Sequence, residues 1–72
     1  MKKVPKAMTK KLVKEVMEEY DENEDDAYSR IRFETGLGKD ETVRIKIGRE
    51  PMPFPVYRLA YIVLLDEDPG KL

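Results

Sequence analysis

The chain contains no cysteine and no histidine, and each absence closes off a class of chemistry. Without cysteine there is no disulfide to staple a small core, and nothing points to a redox compartment. With histidine missing too, the ordinary transition-metal ligands are gone. So is the side chain most used for general acid–base work near neutral pH. Tryptophan and glutamine are also absent, and Asn23 and Ser29 are the single residues of their types. That profile, with 40% of residues Asp, Glu, Lys or Arg, is shared by hyperthermophile proteins and by engineered, computationally designed ones. No apolar run reaches membrane-spanning length, and the lysine-rich start is not followed by an apolar signal core. A soluble chain, cytoplasmic or recombinant, is therefore expected. Charge of one sign is lacking as well. Fourteen basic residues stand against 15 acidic ones, a balance that predicts neither a nucleic acid nor a membrane as partner.

What is present is enough for one small α+β domain. A chain of 72 residues buries only about 60% of its unfolded surface, so regular packing or association must supply stability that staples do not. Residues about 6–21 read as a helix. Met8, Leu12, Val16 and Tyr20 recur at four-residue steps, and Val13 and Met17 widen the stripe. Its charges oppose the helix dipole: six lysines come first, and eight acids follow between Glu15 and Asp26. The acidic turn fails as a calcium loop. Asp21, Asn23 and Asp25 alternate correctly, but Asp26 stands where glycine makes the turn and Arg32 where glutamate closes the site.

Beyond the acidic turn the apolar residues alternate, which predicts strands at about 27–35, 41–48 and 56–66. Ile31 and Phe33 would face inward from the first, and Val43, Ile45 and Ile47 from the second. Gly36-Leu37-Gly38 reads as a hairpin loop, since no helical pattern follows to make it a phosphate cradle. Pro51-Met52-Pro53-Phe54-Pro55 reads as a stiff extended connection, because each proline removes a donor and restrains its predecessor. The predicted fold is α-β-β-β: one N-terminal helix on a three-stranded antiparallel meander.

The last strand carries too many apolar residues for one helix to cover. Tyr57, Leu59, Tyr61, Val63 and Leu65 would face the helix, leaving Val56, Ala60, Ile62 and Leu64 outside beside Arg58. With Met52 and Phe54 from the connection, these residues form the expected protein interface. The expected function is a non-catalytic interaction or scaffold domain, forming a homodimer or binding a protein partner. The alternative is a small nucleic-acid-binding protein whose outer sheet face carries Tyr28, Arg30, Arg32, Arg44, Lys46 and Arg58, cations with an aromatic for stacking. No cofactor, metal or small-molecule substrate is expected. Ser29 is the lone serine, and no carboxylate or lysine spacing selects a catalytic site.

Overall fold

In the computed structural model, which describes residues 3–70, the chain folds as four helices. They are α1 (Lys6–Tyr20), α2 (Glu24–Thr35), α3 (Lys39–Lys46) and α4 (Phe54–Leu65). No sheet forms among the described residues, so the α+β meander is incorrect and the molecule is a small helical bundle. The first helix lies where its stripe places it. The segments at 27–35, 41–48 and 56–66 are also elements with nearly those boundaries, but they are helices.

Exposure along each segment shows why. In the first supposed strand, Ile31 is fully buried while Phe33, two residues on, is 76% exposed. In the second, Ile45 is buried but Val43 and Ile47 are exposed. A strand would have put each set on one face. On α2 the buried residues are instead Ala27, Tyr28 and Ile31, a one-then-three spacing that the 3.6-residue period brings together.

Local chemistry favours the helices. Asn23 caps α2, its Oδ1 accepting the Asp26 N–H at 2.9 Å. Glu24, Asp25 and Asp26 fill the positive first turn, and Arg32 lies in the negative last one. Gly36 stops the helix in the left-handed conformation, at φ 75°. Gly38 caps α3, which opens on Asp40 and Glu41 and closes on Arg44 and Lys46. The Gly-x-Gly stretch is thus the junction of two helices, with Leu37 buried between them, and not a hairpin loop.

α1, α2 and α4 pack against one another, and α3 packs on α2 alone. Their core combines Leu12, Val13 and Val16 of α1 with Ala27, Tyr28 and Ile31 of α2 and Tyr57, Ala60, Tyr61 and Leu64 of α4. The N-terminal arm closes one end. Val4 is buried, and its N–H donates to the Met52 carbonyl at 3.0 Å, while Lys3 pairs antiparallel with Pro53.

Candidate functional site

The proline-rich connection starts α4. Pro53 is its N-cap, and Pro55 sits in the first turn, where a missing N–H costs nothing. Tyr57, Ala60, Tyr61 and Leu64 then recur at the i, i+3, i+4, i+7 spacing of a helical stripe and face the core. This stripe overrides the β preference of Val56, Ile62 and Val63. Two hydroxyls fix the rotation of the helix. Tyr61 donates to Glu15 Oε2 at 2.5 Å, and Tyr20 donates to the Leu64 carbonyl at 2.7 Å. Burial and the carboxylate acceptor both push the Tyr61 hydroxyl well above its ordinary pKa. Phe54, Tyr57 and Tyr61 continue as an aromatic ladder, with ring centroids 6.1 and 5.0 Å apart.

With α4 held this way, its opposite side meets solvent. Leu59 and Ile62 are each 40% exposed and Val63 is 47% exposed, at the i, i+3, i+4 spacing that makes one apolar patch. Arg58 flanks the patch near the start of the helix, where its guanidinium meets Asp68 at 3.1 Å. Asp66 and Glu67 follow its end.

The residues expected at the interface are divided by this geometry. Met52 and Ala60 have no exposed surface and Leu64 is buried, so these three lie in the core. Val56 and Phe54 are half-buried against it. Arg58 and Ile62 are exposed. Leu59 and Val63, assigned inward by strand alternation, instead point out. Counting the same residues at a period of 3.6 would have placed them together with Ile62.

The alternative cationic face does not exist as a face, because it required a sheet. Its six residues are distributed over α2, α3 and α4. Tyr28 is buried. Arg30 donates two hydrogen bonds to Glu22, at 2.7 and 2.9 Å, and its guanidinium covers the Tyr20 ring at 4.1 Å. Arg44 donates to Glu50 at 2.9 Å, Lys46 pairs with Asp25, and Arg58 pairs with Asp68. Arg32 lies over the Phe33 ring at 5.1 Å. These cations are partners for the protein's own carboxylates and rings.

Among the described residues, no group of three carboxylates is gathered as a metal site. Asp21 and Asn23, read above against a calcium loop, are the left-handed C-cap of α1 and the N-cap of α2. Ser29 is exposed on α2. No described helix is long and apolar enough to cross a membrane. No family model matches the chain, and neither a curated protein nor a solved structure matches it.

Proposed function

We propose that the protein is a non-catalytic association module that pairs with a second copy of itself through the outer face of α4. The observation that carries this reading is the patch of Leu59, Ile62 and Val63, three aliphatic side chains exposed on one helix face. Two features favour a copy over another partner. The patch is small and centred close to the Tyr61–Ile62 step, so an antiparallel pair of α4 helices lays it on itself about a two-fold axis. The charges then match as well. Arg58 of one copy, paired at the surface with its own Asp68, also comes toward the Asp66–Glu67 end of the other, and the same contact repeats across the axis.

The energetics are modest. Even a weak interface of about 600 Å² per copy would engage roughly an eighth of the 4800 Å² surface. Burying apolar area contributes about 25 cal/mol per Å², and association costs consume much of that. The dimer is therefore weak and concentration-dependent, with dissociation in the micromolar range or above.

Sedimentation equilibrium across micromolar to millimolar protein tests it. The average mass should climb toward twice the monomer, and Ile62→Lys should return it to the monomer with the helical circular dichroism intact. Arg58→Glu should weaken the dimer, and adding Glu67→Arg should restore part of the loss. A mass that stays monomeric at millimolar concentration, or a dimer indifferent to Ile62→Lys, sinks the proposal.

A further inference from the structure

The start of α1, the end of α3 and the connection at 47–52 enclose a cleft of about 320 Å³, on lining residues that include none of the α4 patch. Its floor is Tyr28, Ile45 and Met52, all buried members of the core. Its rim is cationic: Lys6, Lys10, Lys46 and Arg49, with Glu50 as the one carboxylate. Glu50 is already held by Arg44 at 2.9 Å, and Lys46 is already held by Asp25. Lys6, Lys10 and Arg49 have no ion-pair partner among the described residues.

Two of these charges, Lys6 and Lys10, stand where they are least comfortable. Lys6 and Lys10 are one helical turn apart, so they repel each other. Both also lie in the first turns of α1, where the helix dipole is already positive and no acid offsets it. Lys6 is exposed, but its ammonium lies close against Gly48 on the cleft wall. Gly48 is at φ 84°, and a Cβ there would stand 2.6 Å from Lys6 Nζ. An anion in the cleft would relieve the repulsion and satisfy the dipole together.

We infer that the cleft binds a small phosphorylated molecule that also carries a flat or apolar group. Its phosphate is met by Lys6, Lys10 and Arg49 through charge-assisted hydrogen bonds. Its body rests on the exposed Ile47 side chain and on the edges of Tyr28 and Ile45 that reach the cleft. The volume is at the lower end of the range for small-molecule sites, about 300–1,000 Å³, which suits one mononucleotide-sized ligand. A long polyanion fits poorly, because Glu50 stands at the rim and Asp25, paired with the rim residue Lys46, lies among the acids Glu24 and Asp26 that open α2.

Nuclear magnetic resonance titration of the full chain with adenosine monophosphate tests this. Saturable amide shifts should appear at Thr9 and over residues 45–52, with adenosine monophosphate binding more tightly than either inorganic phosphate or adenosine. Affinity should fall with added salt. The double substitution Lys10→Glu/Arg49→Glu, at two exposed positions, should weaken binding by about tenfold or more, while Ile62→Lys should leave it unchanged. Three results would overturn the assignment: no shifts at millimolar ligand, affinity unchanged in the double variant, or an oligonucleotide binding far more tightly than its number of phosphates explains. Because the α4 patch lies elsewhere, failure here leaves the dimer standing, and failure of the dimer leaves this site standing.

Discussion

The two helices that meet at Asp21–Asn23 carry their charges in opposite orders. α2 begins with three acids behind a capping asparagine and ends with Arg32 before a left-handed glycine. α1 has no side-chain cap, no acid in its first turn and no base in its last, and it ends on Asp21 at φ 53°. Yet α1 is the longer helix, and two of its residues, Leu12 and Val16, have no exposed surface. α2 is specified by its ends, and α1 by the core it helps to fill. Tertiary packing can carry a helix whose termini are poorly charged, since most helix stability in proteins comes from the buried face.

The hardest blow to this contrast is dealt in the core. Leu12→Ala should cost about 2–5 kcal/mol, a large part of the roughly 4–11 kcal/mol that 0.05–0.15 kcal/mol per residue gives a chain of this size. Urea unfolding should show the midpoint falling at unchanged slope. A loss below about 1 kcal/mol would mean that α1 does not depend on its buried stripe.

Asn23→Ala comes next, at about 1 kcal/mol. Hydrogen exchange should quicken first at the Asp26 amide, which loses its acceptor. If α2 is unaffected, its cap is decorative and the contrast fails from the other side.

These two substitutions also mark what was legible in the sequence. The stripe of Leu12, Val13 and Val16 announces α1 without help from caps. α2, α3 and α4 had their boundaries in plain view, because Asn23, Gly36, Gly38, Gly48 and the prolines punctuate the chain. Their type was obscured. Ile31/Phe33 and Val43/Ile45/Ile47 mimic strand alternation over stretches too short to tell a period of 2 from one of 3.6. β-branched residues strengthened the mimicry, although Val43, Ile62 and Val63 lie on the outside of helices and Ile45 is buried in one. The acids behind Asn23 and the bases before Gly36 were the available correction. The excess of apolar residues on the last segment was legible, but which of them face outward depended on the period. The cationic cleft was not legible at all, since Lys6 and Arg49 are brought together only by packing.

A smaller effect should come from relieving α1 at its weak end. Asp21→Gly removes a side chain from a left-handed position and an anion from a helix C-terminus, and should gain about 0.5 kcal/mol. Thermal unfolding should shift upward by a few degrees at most. A decrease would show that the Asp21 side chain holds the turn in some other way.

The subtlest test is pH. The hydrogen bond from Arg30 holds the Glu22 carboxyl below its usual 4.5. Asp68 is lowered by Arg58 and then by the Gly70 N–H. Groups lowered on folding add stability above their ordinary pKa and lose it as pH falls through and below that value. Stability should therefore slope downward into acid, and Glu22→Gln should flatten part of the slope. Tyr61 acts at the other extreme. Its raised hydroxyl supports the fold until pH passes the ordinary phenol value near 10, and Tyr61→Phe should lessen the decline beyond it.

The hydrogen bond between Val4 and Met52 ties the beginning of the chain to a point most of the way along it. That tie closes a long loop, and α4, which begins just after it, touches both α1 and α2. Neither of the two earlier helices can complete its shelter from its neighbours in sequence, so the bundle must assemble as one cooperative unit.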